Sequence, residues 1–242
     1  MNYDFARKSM VAQIRTTFDR SVERFSNLHI GQQSAMDSVL IMEMLTAAAA
    51  RTTPHARHML DIGCGAGNYT LKLLEHLPQL DCTLLDLSRS MLDRAEARVS
   101  EQTRGHVVAR QGDIRDVDLP EEYFDIVLTG SALHHLRHDR EWQQVFANVF
   151  RTLKPGGSFW ISDLIAHEHP ELHHIMRDRY GHYLVNQGGA SFRDRVFESI
   201  EQEDTPRSVW YQISLLHHIG FVNIDIVHKN ACFAAFGGIK SK

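Results

Sequence analysis

The sequence has few cysteines and no long apolar run. Its three cysteines, Cys64, Cys82 and Cys232, are odd in number, widely separated and without metal-ligand spacing. That pattern favours a reducing compartment over a disulfide framework. No window approaches the roughly 20 apolar residues of a membrane span, and the start "MNYDFARKSM" has no apolar stretch of signal-peptide length. A cytoplasmic protein without a membrane partner is therefore expected.

An excess of charge of one sign is also missing. The 242-residue chain has a formal net charge of −4, and both signs are mixed along it. It therefore offers no global field for a polyanion, which argues against a nucleic-acid partner, while a local basic face leaves tRNA open. The length allows one large core with a small helical addition.

The order of apolar patterns predicts helices first and an α/β core afterwards. Apolar residues three or four positions apart predict one helix over 11–25 and another over 35–51. From "HMLDIG" to "SFWISDLI", short apolar runs alternate with helical patterns. This alternation predicts right-handed crossovers and a mostly parallel, doubly wound sheet.

The last third of the chain departs from this alternation. Its first part is helical in period, polar and rich in histidine, arginine and tyrosine, which predicts an inserted cap. The ending "FVNIDIVHKNACFAAFGG" predicts a hairpin that turns at "HKN" and adds antiparallel strands to one sheet edge. The predicted organisation is a helical lid at 1–56, an α/β core at 57–165, a helical cap at 166–218 and a C-terminal hairpin at 219–242.

The most informative motif is "LDIGCGAGNYT", residues 60–70, directly after the first predicted strand. In open parallel sheets ligands bind beyond the carboxyl ends of the strands, where this turn lies. A glycine lacks the Cβ that keeps a ligand from the backbone, so Gly63, Gly65 and Gly67 favour a bulky nucleoside cofactor. The spacing G-x-G-x-G departs from the dinucleotide pattern G-x-G-x-x-G. A tight turn without a ligand is the alternative.

Two acidic residues at successive strand ends favour a ligand at that turn. Asp86 ends the second predicted strand, 19 residues after Gly67, where a carboxylate accepts from both ribose hydroxyls. Asp113 ends the third predicted strand. There it is placed to accept a hydrogen bond from an adenine amino group, while the Ile114 backbone donates one to the adenine ring. Either acid alone is more typical of a helix cap or a surface. Together, beside the glycine loop, they predict an adenosine site.

These motifs resemble the class I S-adenosylmethionine (SAM) methyltransferases. The resemblance rests on "LDIGCGAG", "LLDLS", "GDIRDVDLPEEYFDIVLTGSALHHL" and "LKPGGSFWISD", in the family's order, and covers Leu60 to Leu164. It implies a Rossmann-like, seven-stranded sheet in the order 3-2-1-4-5-7-6 and SAM as the cofactor. The cofactor residues it implies are Asp61, Gly63, Gly65, Gly67, Asp86, Leu87, Asp113, Ile114, Thr129, Gly130 and Ser131.

The flanking regions resemble one branch of that family. The segment "RSVERFSNL", the cap and the ending are similar to the carboxy-SAM synthase of tRNA wobble-uridine modification. That enzyme holds the additional carboxylate of its product with an arginine shortly before a C-terminal Gly-Phe pair. Here Leu215 stands at that place, before Gly220 and Phe221. An apolar side chain cannot pair a carboxylate, so plain SAM is expected.

The reaction implied is an in-line methyl transfer in which the cofactor carries the reactivity. A base is needed only where the acceptor is a poorly acidic hydroxyl or amine. His134 and His135 follow the fourth predicted strand and are candidate bases, because histidine titrates near neutrality; packing against the backbone is the alternative for either. The tract "HEHPELHH" lacks H-E-x-x-H spacing and contains Pro170, so no metal site is predicted there.

Aromatic and charged residues of the lid and cap are candidates for binding the acceptor. They are Phe25, Asp163, Arg179, Tyr180 and Tyr183. A lid-to-core contact is an equal alternative for the three cap residues, Asp163 is as well suited to capping the next segment, and the apolar helices also suit a homodimer face. The predicted function is a SAM-dependent methyltransferase acting on a small molecule. The alternatives are a tRNA-modification enzyme of the carboxy-SAM synthase type and a SAM-binding partner subunit without catalysis.

Overall fold

The computed structural model describes residues 3–27 and 33–242. Most of the "SNLHIGQQ" link between the two predicted lid helices lies outside these residues. The described part of the lid contains helices α1 (Val11–Asp19), α2 (Val22–Ser26) and α3 (Ser38–Thr52).

The predicted helix over 11–25 is in fact two helices. At the junction the Ser21 N–H donates to the carbonyl of Phe18 at 2.9 Å, and the Ser21 hydroxyl donates to the carbonyl of Thr17 at 2.9 Å. These bonds close a tight turn in place of a continuing helix. The break lets both short helices contact the same core helix, α5 (Arg89–Ser100).

The alternating core is built as the sequence predicts. In α5, Ser88 accepts a hydrogen bond from the Met91 N–H and caps the helix. The buried residues of α5 fall three or four positions apart, so one face packs on the sheet. The remaining core elements are β1 (His58–Ile62), α4 (Asn68–Leu74), β2 (Asp81–Asp86), β3 (Val107–Gln111), β4 (Phe124–Gly130), α6 (Asp139–Thr152) and β5 (Leu153–Leu164).

The chain ends in the antiparallel strands β6 (Phe221–Asn230) and β7 (Phe233–Lys240). The sheet order is β3-β2-β1-β4-β5-β7-β6, which confirms the predicted order. The predicted turn at "HKN" is wrong, because Asn230 pairs with Phe233 and the turn lies at Ala231 and Cys232. Polar residues continue as strand here because β6 is an edge strand with half-exposed side chains.

The cap consists of α7 (Pro170–Glu203) and α8 (Val209–Ile219). The backbone of α7 is non-helical at Gly188 and Gly189, and Gly189 has a φ of 80°. The chain folds back at this point, since the ring of Tyr180 lies 5.7 Å from the ring of Phe197. The cap packs beside α3 and β7 and brings the end of α7 towards the loop after β4. Within the described ranges, no helix is both long and apolar enough to cross a membrane.

Candidate functional site

The glycine loop between β1 and α4 contains three left-handed glycines, but they have different roles. A Cβ at Gly63 would lie 2.5 Å from the Ala132 Cβ, and one at Gly67 would lie 3.1 Å from Val99. A Cβ at Gly65, whose φ is 51°, would meet nothing within 4 Å. Packing therefore requires Gly63 and Gly67, whereas Gly65 faces open space that a ligand can occupy.

Asp86, at the end of β2, bonds directly to this loop. Its Oδ2 accepts from the Gly65 N–H at 2.8 Å, and its Oδ1 accepts from the Ser88 N–H at 2.8 Å. Burial raises the pKa of Asp86, and these backbone donors act against that rise. Each carboxylate oxygen retains a lone pair beyond these bonds. Asp86 thus shapes the loop and can also accept from ligand hydroxyls.

A cavity of about 540 Å³ lies beside Asp86, between α1 and the ends of β2 and β3. This volume lies within the range of about 300–1,000 Å³ that is typical of small-ligand sites. The cavity is the place where the sequence predicts an adenine ring. It is lined by Val11, Ala12, Arg15, Leu87, Gln111, Gly112 and Asp113.

Asp113 has a strong partner within the chain. The Arg115 Nε donates to its Oδ1 at 2.9 Å. Burial acts to raise the pKa of Asp113, but the bonds and charge of Arg115 outweigh it and lower that pKa. The side chain of Ile114 packs against the apolar core, so its backbone is what remains for a ligand. Asp113 thus lines the cavity, and Asp86 immediately precedes Leu87, another of its lining residues, as expected from their strand ends.

The other end of the loop is closed by buried groups. Asp61 is 1% exposed and accepts from the Thr70 hydroxyl at 2.7 Å; burial raises its pKa to about 7. The Thr129 hydroxyl donates to the Ile62 carbonyl at 3.0 Å and is fully buried. Gly130 is required by the ring of Tyr69, which a Cβ would approach to 2.3 Å. Among the three residues predicted around the end of β4, Ser131 alone has an exposed side chain.

His134 lies between two buried carboxylates. The ring Nδ1 of His134 contacts the Asp163 Oδ1 in a very short bond, and the backbone N–H of His134 donates to the Asp163 Oδ2 at 3.1 Å. The ring Nε2 lies 3.6 Å from Asp204. Burial acts to lower the pKa of His134, but the two carboxylates outweigh it and raise the value to about 9. His134 is therefore protonated near neutrality. Asp163 is 2% exposed, so it serves this ion pair rather than an acceptor.

His135 has a different environment. Its Nδ1 lies 3.2 Å from Asp204, while its Nε2 is buried and has no partner among the described residues. The ring of Phe18 from α1 lies 5.9 Å away, and the ring of Phe25 lies 5.7 Å from Phe18. A carboxylate on one nitrogen and a free second nitrogen is the arrangement of a general base. The structure thus separates the two histidines, and Phe25 belongs to the lid aromatics near His135.

Asp204 is the functional residue that sequence reasoning missed. It lies just after α7, in "EQEDTP", far along the chain from the histidines. The only local signal is an acid near a helix end before a proline, which is common without function. Its contact with both histidines depends on how the cap packs on the core.

The lid holds both the cap and the glycine loop. The Lys8 Nζ donates to the carbonyl of Glu201 at 2.6 Å and to that of Asp204 at 2.5 Å, which positions the end of α7. The Asn68 side chain donates to the carbonyl of Phe25 at 3.0 Å, which ties α2 to the start of α4. The lid therefore covers the carboxyl edge of the sheet from both sides.

The cap residues predicted to bind the acceptor make structural contacts. The Tyr180 hydroxyl donates to the Ser34 carbonyl at 2.6 Å, and the Tyr183 hydroxyl donates to the Gln33 carbonyl at 3.1 Å. Arg179 is exposed, and its Nε donates to the Asn230 Oδ1 of β6 at 3.3 Å. The geometry favours the lid-to-core alternative for these three residues.

The histidines of "HEHPELHH" do not form a shared site. The Nδ1 of His169 accepts from the Glu171 N–H at 3.3 Å and caps α7, with Pro170 as the first helical residue. His173 lies within the helix, and its ring is 6.1 Å from that of His167. Among the described residues, three converging ligand groups occur elsewhere, at His134, His135 and Asp204.

Comparison with protein families gives a match in the core. A family profile described as "Methyltransferase domain" matches residues 59–157. Malonyl-[acyl-carrier protein] O-methyltransferase of Paenibacillus sp. is 27% identical over 172 residues, which are 70% of this chain and 61% of that relative. Demethylmenaquinone methyltransferase of Lactococcus lactis is 33% identical over 41% of this chain and 38% of its own. The chain thus spans less than two thirds of these relatives.

One relative matches over nearly its whole length. Carboxy-S-adenosyl-L-methionine synthase of Campylobacter lari is 24% identical over 233 residues, 95% of this chain and 93% of its own.

Solved structures share the fold. The 1,6-didemethyltoxoflavin-N1-methyltransferase of Burkholderia thailandensis superposes with a TM-score of 0.63 and 19% identity, over 96% of this chain and 88% of its own. Human N-acetylserotonin methyltransferase in complex with SAM has a TM-score of 0.56 and 19% identity, over 92% of this chain and 60% of its own.

Proposed function

Because this chain belongs to the class I S-adenosylmethionine-dependent methyltransferases, we propose that it transfers a methyl group from SAM to a small-molecule acceptor. The observation that carries this proposal is the pairing of His135 with Asp204 next to the cofactor loop. Ala132, at the start of the turn that carries His135, packs directly on Gly63. The free imidazole nitrogen is thereby held near the loop that, by the family resemblance, faces the methionine part of SAM.

The residues at the strand ends fit this cofactor. The open space at Gly65 lets part of SAM lie against the loop backbone, and Asp86 is placed to accept hydrogen bonds from the ribose hydroxyls. The cavity at the ends of β2 and β3 is large enough for the adenine ring. Asp61 places a buried carboxyl group under the loop, where a ligand ammonium would pair with it. When bound, SAM supplies a methyl group on a positively charged sulfur.

The chain's own residues then orient the acceptor and take its proton. The Nδ1 of His135 faces Asp204, so Nε2 is left to accept a proton from an acceptor hydroxyl or amine. His134 pairs with Asp163 and approaches Asp204, which helps to keep both carboxylates in place. The lid and cap exclude water from this nitrogen, which is already buried.

Replacing Asp86 tests the cofactor assignment. We expect Asp86→Ala to weaken SAM binding about 10- to 150-fold, because hydrogen bonds to a charged group contribute about 1.5–3 kcal/mol. Calorimetric titration at fixed ionic strength measures this change. Asp93→Ala removes an exposed carboxylate on α5 and is the matched control, with unchanged affinity. A dissociation constant for Asp86→Ala within twofold of the unmodified protein, in a variant with unchanged circular dichroism, would refute the assignment.

A second candidate function is supported by the near full-length similarity to a carboxy-SAM synthase. The position that differs is Leu215, which is 9% exposed and lies in the apolar cluster of α6 and α8 beside Leu216. The described residues that share its cluster are apolar, and the Leu215 side chain itself offers no charge to a carboxylate. This favours plain SAM and methyl transfer.

Competition between the two cofactors separates these functions. We expect SAM to bind at least as tightly as carboxy-SAM, because Leu215 offers no charge to the additional carboxylate. Displacement calorimetry with both compounds measures the ratio of their dissociation constants. Total tRNA added to the calorimeter cell then reports whether nucleic acid competes with either compound. A preference for carboxy-SAM above about 10-fold, roughly 1.4 kcal/mol, would overturn the methyltransferase proposal. A cytoplasmic homodimer stays a prediction.

A further inference from the structure

Two adjacent histidines, one of them the proposed base, converge with an aspartate from a distant part of the chain. The Asp204 Oδ1 lies 3.2 Å from the His135 Nδ1 and 3.6 Å from the His134 Nε2. One ligand atom from each of the three residues lies within 4.8 Å of the other two. A tetrahedral ion with bonds of about 2.1 Å places its ligand atoms about 3.4 Å apart. The cluster therefore has nearly the span that one ion requires.

The surroundings of the cluster also suit a cation. The other ring nitrogen of His134 is held by Asp163, and a carboxylate on the distal nitrogen is what orients metal-binding histidines. Asp163, 2% exposed, and Asp204, 8% exposed, place two carboxylates against the two imidazoles in a buried position. A dication held by the imidazoles and Asp204 would pair with this negative charge.

We propose that His134, His135 and Asp204 bind one divalent first-row transition cation, and that the bound ion switches off the base. Imidazole nitrogens with a single carboxylate suit zinc, iron or nickel rather than magnesium or calcium, which prefer oxygen ligands. The switch rests on the proposed role of His135, whereas the site itself does not. This departs from the expectation of no metal, which considered only the spacing in "HEHPELHH".

Proton balance explains the switch. In the free protein, the Nε2 of His134 and the Nδ1 of His135 both face the Asp204 oxygen, and a proton on either nitrogen lies on that side. The ion forms bonds to both of these nitrogens and to the Asp204 oxygen. His134 releases its Nε2 proton to solvent, and the His135 proton moves from Nδ1 to Nε2. The Nε2 of His135 then donates and no longer accepts, so it cannot take a proton from an acceptor.

Metal titration tests the site. The probes are Zn²⁺ in calorimetry and Co²⁺ in visible absorption, added to the full chain purified without a histidine tag and freed of metal by chelation. We expect one equivalent to bind, and His135→Gln to weaken binding at least 10-fold, since even outer groups contribute about 10- to 100-fold. His173→Gln, which changes a histidine near the start of α7, is the matched control and should leave metal binding unchanged. Substoichiometric binding, or its loss in His173→Gln alone, would overturn the site.

The tautomer of His135 tests the switch without any activity measurement. Nitrogen-15 shifts of the imidazole should change from a protonated Nδ1 in the free protein to a protonated Nε2 with Zn²⁺ bound. Unchanged His135 shifts at full Zn²⁺ occupancy would remove His135 from the ligand set. Titration of the same metal-free protein with SAM tests the cofactor assignment separately. Failure of the metal proposal is therefore distinguished from failure of the methyltransferase proposal.

Discussion

His135→Gln is expected to lower kcat by about 10²- to 10⁴-fold, the range typical of general-base catalysis. Glutamine keeps a polar side chain of similar reach but has no nitrogen that accepts a proton near neutrality. The Nδ1 of His135 faces Asp204, and the buried Nε2 has no partner among the described residues, so the loss falls on proton transfer. SAM affinity should stay nearly constant, because His135 lies beyond the cofactor loop.

The measurement is a steady-state assay with methyl-labelled SAM, on an acceptor found by screening alcohols, phenols and amines, whose protons are poorly acidic. His218→Gln is the matched control, since His218 is exposed at the end of α8. Its kcat should equal that of the unmodified protein. A kcat for His135→Gln within about threefold of that value, with an acceptor whose proton is poorly acidic, would show that the chain needs no base at this position.

His134→Ala is expected to destabilise the fold by about 3–5 kcal/mol, the cost of breaking a buried ion pair by removing one partner. The remaining groups are Asp163, which is 2% exposed, and Asp204, which is 8% exposed. Asp163 would be left as a buried carboxylate without its ion-pair partner. Asp204 would lose one of its partners but keep His135 and the nearby Lys8.

Urea denaturation in the presence of a chelator measures this free energy of unfolding. His218→Ala, at the exposed end of α8, should change it by less than about 0.5 kcal/mol. The double variant His134→Ala with Asp163→Ala should lose less than the sum of the single variants, because the two side chains act as one unit. If His134→Ala lowers the free energy of unfolding by less than about 1 kcal/mol, the His134–Asp163 ion pair contributes no more than a solvent-exposed salt bridge does.

The core could be predicted because its signals are local. Apolar runs at strand spacing and capped amphipathic helices recur from β1 to β5, and a parallel sheet follows from their alternation. The hairpin turn was misplaced because the polar residues His228 to Asn230 resemble a turn, although they lie in an edge strand. Polarity alone does not distinguish an exposed strand from a loop.

The placement of Asp86 and Asp113 at one edge of the sheet was also accessible from the sequence. Asp86 ends β2 and Asp113 follows the neighbouring parallel strand β3, so their approach follows from strand order. The roles within the glycine loop were not accessible. Gly63 and Gly67 are required by Ala132 and by Val99 of α5, and only packed side chains could separate them from Gly65.

The sequence by itself therefore determined the order of strands and helices, the place of the cofactor loop and the acids beside it, because each depends on residues close along the chain or at ends of adjacent strands. The tertiary structure alone decided how the surroundings of the two adjacent histidines differ. Asp163 reaches His134 from β5, Asp204 reaches both rings from the cap, and the Nε2 of His135 is left without a partner among the described residues. Contacts between groups far apart along the chain, which no local pattern encodes, create this difference.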